Sequence, residues 1–406
     1  MTEPAQAAPP QSESLVGEHA LIEQPGAALV ILFAITFTFI VTELIPMGVL
    51  QVMGDDLGQS EARIGFLVSV FALAVVLTAA PLAPFTSSLP RRPLLITLTV
   101  ILSVGNLIVA FSDSYLLDVA VRFVIGVANG VFWGMIGSYA IRMLPPDRRG
   151  GALSAVFAGN TAALTLGIPI SAAAALAFGW QATFIALGIV GLLLSLLALR
   201  YLPSLPGTDA TVRISLSGVL RTPGVVIIAA TTLLAFLAHF ALYTYIGPFL
   251  IEAGIVPGIV APVLFGFGIV GIAGVWLTGR AIDRRPREAT FMTLSVFLLA
   301  LIALSVAGYA SLPLIVVPVI LVWGLSYAAI PMLFQSAMLR AVPDTPDAGS
   351  AIVFTSVNLG ISIGSFLGGQ TLDRLGVIWI PILCVACVCL ALILAALGRK
   401  NAFPNP

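Results

Sequence analysis

The sequence predicts an all-α integral membrane protein with twelve transmembrane helices in two pseudo-symmetric six-helix bundles, and three observations carry that reading. Apolar residues make up 59% of the 406-residue chain and charged residues only 9%, at a mean hydropathy of +1.11, a composition no soluble globule of this length supports. Twelve apolar stretches approach or exceed the roughly 20 residues that a helix needs to cross a bilayer. The loops joining them carry arginine on every second turn, as successive spans alternating across a membrane would require.

The first bundle is read from spans near residues 27–50, 63–85, 93–111, 116–139, 152–176 and 181–200, and the second from 223–250, 259–280, 289–308, 312–338, 348–371 and 377–397. Most connections are short. The exception, 201–222, holds Pro203, Pro206, Gly207 and Asp209 and divides an N-terminal bundle over 27–200 from a C-terminal bundle over 223–397. Within it, Val212 to Leu220 reads as a short amphipathic piece on the membrane surface. Residues 1–26 carry Glu3, Glu13, Glu18 and Glu23 but no Lys or Arg, so they lack the basic region of a cleaved signal peptide and read as a disordered cytoplasmic tail. Residues 398–406 form the second tail. Cys384, Cys387 and Cys389 fall in the last span without a histidine or acid beside them, so they read as small packing residues and not as a metal or redox site.

Of the eighteen basic residues, fifteen fall on one side of the alternating spans: Arg91, Arg92, Arg142, Arg148, Arg149, Arg200, Arg213, Arg221, Arg280, Arg284, Arg285, Arg287, Arg340, Arg399 and Lys400. Only Arg63 and Arg374 fall on the other. Basic flanks resist translocation, which places both termini in the cytoplasm of a multi-pass inner (cytoplasmic) membrane protein. Arg122 belongs to neither side, because it lies inside an apolar run, as does Glu43. A charge in hydrocarbon costs several kcal/mol, so each is a functional candidate.

The two halves repeat. Arg142-Met-Leu-Pro145, an acidic turn, Gly151-Ala152 and Val156-Phe157 return as Arg340-Ala-Val-Pro343, an acidic turn, Gly349-Ser350 and Val353-Phe354, and both copies reach a helical glycine ten residues later, Gly167 and Gly364. Arg91-Arg92 before span three similarly corresponds to Arg284-Arg285 before span nine. An even-numbered half starts and ends on the same side, so the copies are parallel, and a cavity between them near the midplane is the expected transport site.

With Gly279-Arg-Ala-Ile-Asp283-Arg284-Arg285 after span eight, the chain resembles the major facilitator superfamily over essentially all of residues 27–397. The copy after span two is degraded: Leu82-Ala83 match, Pro84 and Phe85 stand where the acid and first base usually are, and Arg91 and Arg92 remain. Three stretches are similar to the twelve-span drug:proton antiporter branch, and to bacterial sugar-efflux and chloramphenicol-resistance-type exporters within it. They are Thr42-Glu43-Leu-Ile-Pro46-Met-Gly48 with Asp55-Asp56-Leu57-Gly58; Arg122-Phe-Val-Ile-Gly126-Val-Ala-Asn-Gly130; and Gly167-Ile-Pro169 with Gly179-Trp180-Gln181. Ala172 and Ala173 replace glycines expected after the proline, and Gln181 an expected arginine. The resemblance implies the major facilitator fold and proton-coupled efflux of a drug or sugar by alternating access, with Gly167 and Pro169 as the antiporter motif and Arg91, Arg92, Gly279, Asp283, Arg284 and Arg285 as gating-loop residues. A proton-coupled importer or uniporter is the alternative.

At 1.5 Å per residue, Glu43 lies roughly 10 Å and Arg122 roughly 9 Å below the outer face. They either face each other or lie on opposite sides of a wet cavity. Desolvation and a nearby guanidinium pull a buried carboxyl in opposite directions, a balance that suits a proton carrier. Glu43 is the expected carrier and Arg122 its tuning or relay group, with a static salt bridge between them as the competing reading. His239 in span seven is the third candidate coupling group, against a hydrogen-bonded packing role.

Substrate contacts are expected from Asn129, Trp133, Asn160, Tyr243, Tyr245, Trp323, Tyr327, Gln335 and Asn358, since polar side chains in lipid are costly unless they face protein or water. With one buried acid and one buried base recognised, a neutral or amphipathic small molecule suits such a lining. Gly126, Gly130 and Gly134, and Gly360, Gly364 and Gly368, put small residues on one helix face for close helix approach. Pro46 and Pro169 should bend their spans.

Among other classes a membrane-embedded enzyme is the remote alternative, and a receptor or channel is disfavoured by the two six-span repeats, which suit alternating access. A Walker loop needs a lysine beside its glycines, and Lys400 is the only lysine. A membrane enzyme needs a nucleophile with its base or a metal cluster, neither of which the sequence offers. Zero formal net charge leaves no nucleic-acid footprint. The expected partners are the small-molecule substrate, protons and the lipid bilayer, with no cofactor and a functional monomer.

Overall fold

A computed structural model describes residues 25–143, 149–207, 216–282, 284–398 and 401–403. The expected N-terminal tail up to residue 24, the turn containing Arg148, the surface piece before Leu216, Asp283, Arg399 and Lys400 lie outside those residues. Twelve helices are long and apolar enough to cross a membrane: Gly26–Gly48, Glu61–Ala79, Arg91–Ala110, Tyr115–Met143, Leu153–Phe178 and Trp180–Tyr201 in the first half, then Val225–Tyr243, Pro257–Ile282, Pro286–Tyr309, Pro313–Ala341, Ala348–Leu375 and Val377–Leu397 in the second. They are numbered below as spans one to twelve. Because successive spans reverse direction, the basic loops gather at one end of the molecule, called here the basic end.

The internal repeat is visible in packing as well as sequence. In the first half, span one packs on spans five and six, span two on span four, and span three on spans four and six. In the second, span seven packs on spans eleven and twelve, span eight on span ten, and span nine on spans ten and twelve. Adding six to each number converts one list into the other. The same operation exchanges the two seams that join the halves, span two against span eleven and span eight against span five. Even the turns match: Gly179 at φ 85° between spans five and six corresponds to Gly376 at φ 96° between spans eleven and twelve, a backbone conformation that favours glycine at both corners.

Proline placement sets the irregularities. A proline has no N–H for the carbonyl four residues back; at four irregular places those carbonyls belong to Thr42, Thr165, Thr244 and Tyr327, opposite Pro46, Pro169, Pro248 and Pro331, whereas the helices around Pro262 and Pro318 run on. Span one ends at Gly48 and the chain re-forms a short helix, Leu50–Leu57. Span five contains a π-helical turn, Ala163–Gly167, just before Pro169, the kind of bulge that absorbs a broken ladder. The expected seventh span over 223–250 is broken: helix stops at Tyr243, Thr244 and Tyr245 form a turn, and a separate helix runs Ile246–Glu252. The tenth span breaks likewise between Tyr327 and Ile330.

Glycines supply the seams. A Cβ on Gly126 or Gly130 would press on span two at Phe71 or Thr78, and one on Gly360, Gly364 or Gly368 on span seven at Phe236, Leu237 or Ala241. Gly134, expected on the same face as Gly126 and Gly130, meets nothing within 4 Å. At the basic end the connection between halves is fastened to the first one: Tyr139 Oη donates to Pro203 O at 2.7 Å, Arg92 Nη1 to Leu202 O at 3.1 Å and the Arg91 amide to Leu205 O at 2.9 Å. Beneath the second half, Phe403 is buried and tilts against Phe334 with ring centroids 6.3 Å apart.

Candidate functional site

Glu43 and Arg122 come together, but not as a salt bridge. Both are buried, with no N···O approach within 4.0 Å. The guanidinium is instead seated on backbone: Nη1 donates to Thr42 O, Nη2 to Glu43 O at 2.8 Å and Nε to Leu67 O at 3.4 Å. Its plane lies over the Phe71 ring at 4.5 Å, a contact that gains from desolvation. Thr42 O is the carbonyl that Pro46 leaves without a helical donor, so Arg122 closes the gap the proline opens, binding span one to span four and, through Leu67, to span two. The static salt bridge is therefore corrected to a cationic clip on the kink of span one.

The Glu43 carboxylate has a different partner. Asn129 Nδ2, two turns further along span four than Arg122, donates to Glu43 Oε2 at 3.2 Å, while Asn129 Oδ1 accepts nothing. A second asparagine, Asn106 of span three, donates to the Thr42 hydroxyl at 2.9 Å. Span five stands behind this cluster. Gly167 lies against Val41, and Gly48 against Ile168 O and Ser171, so span five backs the kinked end of span one. The acidic stretch after span one is tied to the turn before span six: Asp56 Oδ2 accepts from Trp180 Nε1 at 2.8 Å and from Gln181 Nε2 at 2.7 Å.

The second half holds an aromatic cluster rather than an isolated histidine. His239 stacks on Tyr327 with ring centroids 3.3 Å apart and planes 3° from parallel, with Tyr243 at 4.7 Å and Trp323 edge-on at 5.2 Å. Phe267 closes a further side at 6.0 Å. His239 Nδ1 and Trp323 Nε1 are buried without a hydrogen-bond partner, so the hydrogen-bonded packing role expected for the histidine does not describe its Nδ1.

The remaining candidates separate. Trp133 tilts against Phe354 of the opposite half at 6.0 Å, and Asn160 is half-buried. Gln335 donates to Ser350 Oγ at 2.7 Å, and Asn358 to Phe354 O at 3.1 Å. Tyr245 is wedged between Gly65 and Gly369, and its hydroxyl donates to Ser365 O at 2.8 Å. With Ser362 donating to Ser69 O at 2.9 Å and Phe66 edge-on to Phe366 at 6.1 Å, it closes the seam of spans two and eleven away from the basic end. Of the residues expected in gating loops, Arg91 donates to Thr86 O and Ser87 O and Arg92 to Leu199 O and Leu202 O, bonds that stay within the first half. Arg284 is exposed, Arg285 pairs with Glu288 at 3.1 Å on the surface, and Gly279 has open space around it.

Sequence reasoning missed one buried charge. Asp118 of span four is fully buried, and its signal was an acid four residues before Arg122 on the same helix face.

Residues 31–365 match the model of the Major Facilitator Superfamily, and the chain belongs to that family. It is 30% identical over 349 residues to a probable sugar efflux transporter of Mannheimia succiniciproducens, spanning 86% of this chain and 87% of that one. It is 29% identical over 354 residues to a chloramphenicol efflux pump of Mycobacterium tuberculosis, spanning 85% and 86%. Among solved structures it resembles a bacterial homolog of the human lysosomal transporter Spinster, in an inward-facing and occupied conformation, with a TM-score of 0.73 at 14% identity over 92% of this chain and 96% of that one. The nucleoside transporter NupG gives the same TM-score and identity over 91% and 98%. The chain is a membrane transporter of the major facilitator type.

Proposed function

We propose that this transporter exports a small neutral or amphipathic molecule, a drug or a sugar, in exchange for protons, by rocking the bundles 27–200 and 223–397 about the site between them. Glu43 carries the proton. The observation that carries this reading is the buried Glu43 carboxylate facing an amide with a free end: Asn129 Nδ2 donates to Glu43 Oε2, while Asn129 Oδ1 stands unpartnered. An amide offers a donor to the carboxylate and an acceptor to the carboxylic acid, so one side chain serves both protonation states. Arg122 stays close without pairing with the carboxylate, its Nη1 and Nη2 donating to Thr42 O and Glu43 O of span one.

The cargo class follows from relatives named for sugar and chloramphenicol efflux, together with an aromatic cluster suited to stacking on an uncharged ring. The basic end is assigned to the cytoplasm with both termini, in the inner membrane, and the monomer is taken as the working unit. In proteoliposomes with an imposed pH gradient, chloramphenicol or a panel sugar should leave as protons enter. Glu43→Gln should abolish the gradient-driven component while retaining counterflow. Normal coupling in Glu43→Gln sinks the carrier assignment, and cargo moving in the same direction as protons sinks the antiport.

A further inference from the structure

Asp118 lies on span four one turn before Arg122, completely buried, and neither of its carboxylate oxygens receives a hydrogen bond. The Ser112 hydroxyl beside it donates instead to Ser114 O at 3.1 Å. Tyr115 spends its phenol proton on Arg63 O at 2.9 Å, and the Arg63 guanidinium rests over the Tyr115 ring at 5.7 Å. Arg122 is four residues on and therefore on the same helix face, in the Asp-before-Arg order that favours pairing. Yet the two make no N···O approach within 4.0 Å, because the guanidinium is held on Thr42 O and Glu43 O of span one.

A buried acid with no partner is an expensive arrangement that calls for an explanation. Two carboxylates, Glu43 and Asp118, flank one guanidinium that sits on neither. Glu43 has Asn129 and moves with span one; Asp118 has no such partner and stays with Arg122 on span four. We propose that Asp118 is the second seat of the Arg122 guanidinium, occupied when spans one and four separate during the transport cycle. Arg122 then leaves Thr42 and Glu43 and swings back one turn by side-chain rotation, with no change in the backbone of span four. The buried cation is never left unpaired, which a single seat on a moving helix cannot ensure. Asp118 is thus a positioning residue, acting through Arg122, and the inference rests on the alternating access proposed above.

The test needs a readout of conformation. In a variant with its three cysteines replaced, Ala62→Cys places a thiol at the seam where Gly369 approaches Ala62, so its labelling rate reports opening of that seam. Asp118→Asn removes the second seat while keeping size. It should slow labelling and flux by about fivefold or more, the low end of a typical coupling free energy. In an Arg122→Gln background Asp118→Asn should cause no further change in labelling, and Asp118→Glu should restore both readouts. Labelling and flux at the parent level in Asp118→Asn, or additive effects of the two substitutions on labelling, overturns the proposal. Should Asp118→Asn fail to fold, Asp118→Ser supplies the same comparison. If the Ala62→Cys thiol in the parent labels identically with and without chloramphenicol under a pH gradient, alternating access at this seam fails first, a result separate from any effect of Asp118.

Discussion

If Arg122 repairs the gap that Pro46 opens, the two residues must be energetically coupled although they lie on different helices. Arg122→Leu removes the donor to Thr42 O and leaves that buried carbonyl without a partner, since Pro46 has no N–H to offer. An orphaned buried acceptor costs about 1–3 kcal/mol. The Glu43 carbonyl, also released, retains the helical donor position of Met47, so the larger part of the loss belongs to Thr42. Pro46→Ala restores an N–H four residues after Thr42. In that background Arg122→Leu should cost no more than about 1 kcal/mol, giving an interaction energy of about 1–2 kcal/mol in the cycle. Unfolding of the four proteins by titration with sodium dodecyl sulfate in mixed micelles measures each corner. Additivity within about 0.5 kcal/mol, the behaviour of independent sites, would falsify the clip.

The same physics yields two further expectations. Gly65→Ala puts a Cβ where the Tyr245 hydroxyl lies, so the seam of spans two and eleven should fail to close and the Ala62→Cys reporter should label faster than in the parent; an unchanged rate refutes the wedge. Trp323→Phe keeps a ring in the His239 cluster but deletes an Nε1 that has no partner here. Stability should stay within about 0.5 kcal/mol, whereas cargo affinity should fall about tenfold, equivalent to 1.4 kcal/mol; an unaltered Kd removes Trp323 from the site.

The fold was legible because the solvent dictates it: in hydrocarbon every backbone group must be satisfied within its own helix, so twelve apolar stretches leave little choice. Glu43 and Arg122 were legible for the same reason, each being a charge in an apolar run. Their geometry was not. Whether a guanidinium prefers a carboxylate or a carbonyl depended on which backbone acceptor Pro46 had freed, and that acceptor faces span four only after the helices pack. Tyr243 and Tyr245 show the same limit. Two residues apart in sequence, they read as equivalent candidates, yet the break at Thr244, four residues before Pro248, sends one into the His239 cluster and the other into the seam between halves. Asp118 was overlooked because it stands only two residues inside the expected start of its span, where an acid reads as a boundary residue; its four-residue spacing to Arg122 was the signal.

The bonds that fasten residues 202–205 to the first half shorten the leash between the two halves. By sequence the tether starts at Tyr201; in the folded chain the residues as far as Gly207 lie against the first half, Gly207 on the backbone of Ser87 and Ser88. A shorter leash raises the effective concentration of one bundle at the other. If the halves rock as proposed, a short leash keeps them in register, and an insertion placed after Gly207 should loosen that register while leaving both bundles intact.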